Sequence, residues 1–430
     1  MENVTLPETV EQLTRAGPAT PMGELLRRYW QPIALSADVL ADEAPVAVKI
    51  LGEDLVLFRD TDGKPGLIGR HCAHRGADLR YGRVEAGGLR CLYHGWLFDR
   101  QGRCLEQPGE PSGGEYRDKV RQLAYPCADL AETVWVYMGP GEPPCLPSHP
   151  ALDAPPEYRI ATRFQARCNF LQGLEGGLDP VHTSYLHRFI DRPDNDSEAA
   201  LNEVFQANTA PRLHVSDSPV GFRIVAERVD SDEARKVLRL SNFIMPNASM
   251  VNGFDTPLGP GGATLTWVVP IDDTHHWRFE YTFHSTKPLN KEYIAAVCDA
   301  EKLPGEVLKR SADNNYLQDR EEMKATTFAG MGHCILAQDV MIIEGQGAIH
   351  DQTKEHLVTS DVAIVRARRM LLEAMEIVAG GGDPLGVVRE EGNDALRHTV
   401  AGTKTVDLAT GNEQFCSDLE QADLYALGPL

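Results

Sequence analysis

Two short stretches constrain this chain more than any other: Arg70-His-Cys-Ala-His-Arg-Gly76 and Cys91-Leu-Tyr-His-Gly-Trp96. Each supplies one cysteine and one histidine, Cys72 with His74 and Cys91 with His94, and sixteen residues separate the two pairs. Two thiolates can hold one ferric ion and two neutral imidazoles a second, so the four side chains suit a 2Fe–2S cluster with unlike ends. A structural zinc ion is the competing reading. Zinc loops usually space their ligands by two to four residues, and the single spacer in Cys72-Ala-His74 is unusual for one.

The sequence around these pairs reads as a β scaffold. Val46–Leu51 and Leu55–Phe58 have the strand period about Gly52-Glu-Asp54, a hairpin signal, and short β-like pieces follow at 65–68, 96–98 and 133–138. An all-β module over 41–150 is expected, with both Cys–His pairs on its turns. Before it, Thr20 as cap and Pro21 in the first turn open a helix whose apolar positions Leu25, Leu26, Tyr29 and Trp30 run to Pro32. Residues 1–40 are therefore expected as a helical segment packing on the larger domain. Pro143-Pro-Cys-Leu-Pro147 and Ala154-Pro-Pro156 mark the boundary.

Past that boundary, strand-like runs recur at 221–226, 237–240, 263–269 and 277–283, with Leu258–Gly262 as a turn. A closing helix follows: Ser360 is its expected cap, Ile364, Ala367, Leu371, Met375 and Val378 mark one face, and Gly380-Gly-Gly382 stops it. Long strands followed by late helices predict an α+β domain over 151–430, a curved antiparallel sheet wrapped around a helix in the helix-grip, START-like manner.

That domain carries a second constellation, Asp179-Pro-Val-His182-Thr-Ser-Tyr-Leu-His187. Two imidazoles and one carboxylate on one face of an iron leave positions open for O₂ and substrate. His182 and His187 stand about 140° apart on a regular helix, which cannot aim both at one ion. Gly173, Gly176, Gly177 and Pro180 permit the distortion that convergence requires.

Composition narrows the partners. A formal net charge of −21 argues against nucleic acid and against an anionic membrane surface, and an anionic substrate would need local arginines to overcome it. The N-terminal stretch lacks the basic and apolar regions of a signal peptide, and no apolar run reaches the roughly 20 residues of a membrane span. Nine cysteines, seven of them scattered outside the two pairs, read as reduced thiols, and a cytoplasmic location is expected.

His71-Cys-Ala-His-Arg-Gly-Ala77 and Cys91-Leu-Tyr-His-Gly-Trp-Leu-Phe-Asp99 resemble the two loops of a Rieske iron–sulfur domain. Ala77 and Tyr93 stand where the respiratory type has extra cysteines, so the resemblance is to the disulfide-free branch of aromatic-ring-hydroxylating oxygenases. Asn169-Phe-Leu-Gln-Gly-Leu-Glu-Gly-Gly-Leu-Asp179 resembles the lead-in to their catalytic iron motif. Gln338-Asp339-Val-Met-Ile-Ile-Glu344-Gly-Gln-Gly347 resembles the segment that carries the third ligand in the phthalate dioxygenase group, which points to Asp339, with Glu344 as the rival carboxylate.

The resemblance implies a mononuclear non-haem Fe(II) on His182, His187 and Asp339, beside one Rieske 2Fe–2S cluster on Cys72, His74, Cys91 and His94. It implies that Asp179 bridges to His94 of a neighbouring subunit, and so a homotrimer or stacked hexamer. Glu175-Gly-Gly177 departs from other branches, which place an asparagine shortly before that aspartate. A terminal oxygenase of this kind takes electrons from a separate reductase carrying FMN and a plant-type 2Fe–2S centre, so NAD(P)H and flavin act only indirectly. Its substrates are O₂ and an aromatic acid, dihydroxylated or hydroxylated; an aryl O-demethylase is the alternative. A carboxylate calls for arginine. Arg212 is the first choice and Arg239 the second, with Arg223 and Arg228 as rivals and Thr183 as a hydroxyl contact. A reading of another class, an electron-transfer iron–sulfur protein, would have no use for Asp179, His182, His187 and Asp339.

Overall fold

The hairpin expected near residue 52 sets the register of the N-terminal module. In the computed structural model, Val46–Ile50 pairs antiparallel with Glu53–Arg59, Val46 opposite Leu57 and Ile50 opposite Glu53. Leu51 and Gly52 form the turn at φ 48° and 78°, the hand that matches the twist of the flanking strands. The structure describes residues 6–41, 43–111, 114–191, 196–229, 234–252, 262–284, 287–304, 306–332, 334–390, 392, 396, 399–410 and 413–415.

Pro65–Gly69 and Ala124–Tyr125 extend that hairpin into a four-stranded sheet, and Arg83–Glu85, Gly88–Arg90, Leu97–Phe98 and Cys104–Glu106 form a second. Val56, Phe58, Ile68, Leu79, Leu89 and Phe98 fill the space between them together with Cys72, Cys91 and Trp96. The two cysteine loops leave this small core at neighbouring strand ends.

The N-terminal helix is shorter than its apolar period suggests. It spans Pro21–Leu26, with the Thr20 hydroxyl accepting from Gly23 N at 3.1 Å. Trp30 is not helical: Trp30–Leu35 is a strand paired with Thr133–Tyr137, and the register shifts between Pro32 and Ala34. Pro32 lacks an amide hydrogen for the ladder, which a strand tolerates at such an irregularity. The Pro7–Thr14 and Pro21–Leu26 helices pack on the closing helix, Val362–Ala379. Trp135 of the short sheet meets Trp267 and Tyr281 of the large one at ring-centroid distances of 5.0 and 5.9 Å.

The large sheet runs in the order Arg212–Ser218, Gly221–Val229, Arg235–Ile244, Ala248–Asn252, Gly262–Asp272, His275–His284 and Arg159–Ala166, all antiparallel. Gly402–Asp407 pairs with the Arg235–Ile244 strand. The expected turn at 258–262 lies, apart from Gly262, outside the described residues. Phe170–Leu178 packs across the sheet, and the closing helix buries Ala367 and Leu371 in the same core, so the sheet wraps helices as expected. Ser360 does not cap that helix. A short 3₁₀ turn over Thr359–Asp361 precedes it, and the Asp361 carboxylate accepts from Val358 N at 2.7 Å.

Candidate metal centres

The cysteine loops share one backbone pattern. Gly76 N donates to Cys72 O and Cys72 N to Ala77 O; Gly95 N donates to Cys91 O and Cys91 N to Trp96 O, all within 2.8–3.0 Å. Gly76 and Gly95 both sit at φ 72°, where a side chain is disfavoured, and a Cβ on Gly95 would meet Pro108 Cγ at 2.8 Å. Gln122 pins the first loop, accepting from Ala73 N at 2.8 Å and donating to Gly69 O and His71 O at 2.7 and 2.9 Å. The two histidine rings meet edge to face with centroids 4.6 Å apart, and His74 stacks on Trp96 at 4.4 Å.

These residues fit a 2Fe–2S group. Cys72 and Cys91 are 4% and 3% exposed, and burial, with Cys91 alongside, pushes the Cys72 thiol up to about 11, so its thiolate needs a cation to compensate it. Among the described residues the buried His74 Nδ1 has no hydrogen-bond partner, as a ring nitrogen reserved for a metal would be. Leu92 and Tyr93, at the tip of the second loop beside His94, are 68% and 58% exposed.

His182, His187 and Asp339 converge on a second point, their ligand atoms all within 4.8 Å of one another. The Phe170–Leu178 helix ends before Asp179, and a 3₁₀ turn over His182–Ser184 replaces it, so the five-residue spacing closes. The two Nε2 atoms lie 3.2 Å apart, and Asp339 Oδ1 is 3.7 Å from His182 Nε2 and 3.1 Å from His187 Nε2. Burial alone would raise the Asp339 carboxyl, but His187, His182 and Arg278 hold it well below the usual carboxylate range. Two imidazoles and one charged carboxylate are the donor set of non-haem iron. Glu344 turns elsewhere: it accepts from Arg167 N at 2.7 Å and from the Tyr316 hydroxyl at 2.9 Å.

Each histidine has a distinct outer partner. Asp179 Oδ2 lies 3.6 Å from His182 Nδ1, while Asp179 Oδ1 accepts from Val181 N at 2.7 Å. His187 Nδ1 lies 2.8 Å from Gln338 Oε1, and Gln338 Nε2 donates to Gly332 O at 2.7 Å. That second bond fixes the amide so that its oxygen faces His187, placing the ring proton on Nδ1 and leaving Nε2 free for a metal. Arg278 Nη1 lies 3.6 Å from Asp339 Oδ2. Sequence reasoning missed both. Gln338 immediately precedes the expected ligand, whereas no sequence signal distinguishes Arg278 from any other strand arginine.

The arginines divide by strand alternation. Arg228 pairs with Val237 and Ala226 with Arg239, so Arg228 and Arg239 share one face of the sheet; Arg212 lies opposite Glu227 and shares the other face with Arg223. Arg212 is solvent-exposed, which corrects the expectation that it lines a pocket. Arg239 is 7% exposed and donates from Nε to Asn252 Oδ1 at 3.1 Å; Asn252 in turn donates to the Thr403 hydroxyl at 2.6 Å. Arg228, 1% exposed, donates from Nη2 to Pro180 O at 2.9 Å and to the Ser184 hydroxyl at 3.2 Å, bracing the loop that carries His182. Burial lowers Arg239 to about 10; burial and then the neighbouring Arg239 lower Arg228 to about 9. The Thr183 hydroxyl donates to Pro180 O at 2.9 Å, within the local turn.

A Rieske [2Fe-2S] domain model matches residues 29–124, and a LigXa C-terminal domain like model matches residues 136–406. The chain is 34% identical over 397 residues to the 5,5'-dehydrodivanillate O-demethylase oxygenase subunit of Sphingobium sp. (strain NBRC 103272 / SYK-6), covering 89% of this chain and 83% of that one. It is 36% identical over 402 residues to the phenoxybenzoate dioxygenase subunit alpha of Ectopseudomonas oleovorans, covering 90% and 89%. A crystal structure of dicamba monooxygenase bound to dicamba shares the fold, with a TM-score of 0.56 at 17% identity over 83% of this chain and 99% of that one. No helix among the described residues is long and apolar enough to cross a membrane. The chain belongs to the Rieske non-haem iron aromatic-ring-hydroxylating oxygenases, as an oxygenase (alpha) subunit of the phthalate dioxygenase-like group.

Proposed function

We propose that this oxygenase subunit hydroxylates an aromatic carboxylate, with dihydroxylation as the preferred outcome. The observation that carries the reading is the pair of buried guanidiniums, Arg228 and Arg239, on the sheet face beside the His182–His187 loop. Among the described residues the buried Arg228 Nη1 has no hydrogen-bond partner, and an arginine left so in a low-dielectric site calls for an anion. In this reading His182, His187 and Asp339 hold a mononuclear iron, and Cys72, His74, Cys91 and His94 hold the cluster. Bound there, iron supplies O₂ activation and the cluster supplies single electrons.

The chain's own residues orient the reaction. Arg239, fixed by Asn252, anchors the carboxylate, and Arg228 supports it while holding the His182 loop in place. Asp179, with a third of its side chain exposed, joins His182 to His94 of a neighbouring subunit, so the working form is a homotrimer or stacked hexamer. A separate reductase with FMN and a plant-type 2Fe–2S centre delivers electrons from NAD(P)H, and the assembly is cytoplasmic.

A second reading, aryl O-demethylation, is favoured by the relative named for that activity. The test uses the purified holoenzyme with a generic flavin and plant-type 2Fe–2S reductase, and benzoate, phthalate and methoxybenzoate as substrates. O₂ uptake with diol formation and no formaldehyde is expected. Formaldehyde from methoxybenzoate without diol from the other acids selects the demethylase, and no O₂ uptake with any aromatic acid overturns the carboxylate reading.

A further inference from the structure

A buried ionic cluster lies outside both metal centres. Arg368, on the closing helix and 6% exposed, grips two carboxylates at once. Its Nε and Nη2 donate to Glu175 Oε1 and Oε2 at 2.6 and 2.8 Å. Its Nη1 and Nη2 donate to Glu355 Oε2 and Oε1 at 2.5 and 2.9 Å. His350 Nε2 stands 3.1 Å from Glu355 Oε1. The Glu175 and Glu355 side chains are 14% and 13% exposed, so neither charge is left to solvent.

Two of the three elements joined here flank the iron residues in the chain. Glu175 lies four residues before Asp179, one turn back on the Phe170–Leu178 helix. Gly176, Gly177 and Leu178 separate them: the two glycines give the last helical turn no side chain on their side, and Leu178, 1% exposed, is its one packed side chain. Gly177 instead lies close on the sheet, where a Cβ would meet Ser249 Oγ at 2.8 Å. Glu355 belongs to the segment that follows the Asp339 helix, Ile335–Gly345. That segment is tied to the same Asp179 helix a second time: Gln172 Nε2 donates to Ile343 O and Gly347 O at 2.7 and 2.9 Å, and its Oε1 accepts from His350 N at 3.1 Å.

We propose that Arg368 is a positioning residue for Asp179: by clamping Glu175 to Glu355 it fixes the glycine-rich last turn whose end aims the Asp179 carboxylate. The clamp adds a bidentate ion pair to a turn whose one packed side chain is Leu178. It also ties the Asp179 helix to the segment that follows the Asp339 helix. The inference rests on the reading that Asp179 joins the two metal centres.

The test is single-turnover oxidation of the reduced holoenzyme by O₂ and substrate, following the return of the cluster's visible absorption. Arg368→Gln is expected to slow that return by about tenfold or more and to uncouple O₂ uptake from product, with iron content and substrate KM unchanged. Arg368→Lys, which keeps the charge but loses the fork, restores part of the rate. A folded, iron-replete Arg368→Gln protein that re-oxidises its cluster at the wild-type rate overturns the proposal. If Arg368→Gln fails to accumulate, Glu355→Gln is read instead: it keeps the Arg368–Glu175 pair, a smaller slowing supports the clamp, and an unchanged rate overturns it. Asp179→Asn separates the two claims. If it leaves the rate unchanged, the bridging reading itself fails; if it slows the rate and the Arg368 variants do not, only the clamp fails.

Discussion

Replacing Gln338 by leucine removes the acceptor that faces His187 Nδ1 and the donor to Gly332 O. The side chain is 2% exposed, its oxygen sits 2.8 Å from His187 Nδ1, and leucine has nearly the same volume. The His187 N–H would then be buried without a partner, at a cost of about 1–3 kcal/mol. That cost falls on the ring orientation in which Nε2 faces Asp339 Oδ1 at 3.1 Å, the orientation in which iron is held. Loss of such an outer partner typically weakens metal affinity by about 10–100-fold, or about 1.4–2.7 kcal/mol. The assay is competition for Fe(II) against a chelator of known affinity, with the Rieske absorption as the internal reference for an intact cluster. Gln338→Leu is expected to lose the mononuclear iron at about tenfold lower chelator concentration than the wild type while its cluster stays. Gln338→Glu keeps an acceptor for His187 but turns a second oxygen toward Gly332 O, so it falls between the two. Equal iron retention by Gln338→Leu and the wild type would refute the argument that this amide orients His187.

Arg239→Met should raise KM for an aromatic acid by about tenfold or more with a smaller change in kcat, whereas Arg212→Ala, on the opposite and exposed face, should leave both unchanged in steady-state assays. Gly95→Ala places a side chain at φ 72° against Pro108, and should cost about 1–2 kcal/mol and release the cluster at lower denaturant, read from the visible absorption. His276 is 0% exposed and burial lowers it to about 4 from 6.5, so the unfolded chain binds the extra proton between those values. Stability is then full above pH 6.5 and falls as pH drops toward 4, by about 3 kcal/mol in total. His276→Gln should flatten that part of the pH dependence of the denaturation midpoint; an unchanged slope would show that His276 is not its source.

The cluster loops were legible in the sequence because Cys72, His74, Cys91 and His94 carry a chemistry few other arrangements use, and Gly52 fixed the hairpin ahead of them. The Asp179–His187 stretch was legible only in part: its glycines and Pro180 allow a break in the helix, and the break occurs where the 3₁₀ turn begins. Trp30 was misread because Tyr29 and Trp30 satisfy a helical period as well as the start of a strand, and only pairing with Tyr137 decides between them. Arg212 and Arg239 looked alike in sequence. Their faces follow from register, which a single strand cannot show. The bond from the Thr183 hydroxyl to Pro180 O had no local signal either. Gln338, Arg278 and Arg368 act through partners far away in the chain, Arg368 on Glu175 and Gln338 on His187, and no local pattern announces such pairs.

The account's central claim is that one chain holds two iron centres with separate ligand sets, and metal analysis tests it most directly. The purified protein should carry about three irons and about two acid-labile sulfides per chain. His182→Ala should fall to about two irons, keep the Rieske spectrum and form no product. A wild-type protein that saturates at about two irons yet still oxidises an aromatic acid, or a His182→Ala protein that still does so, would contradict it.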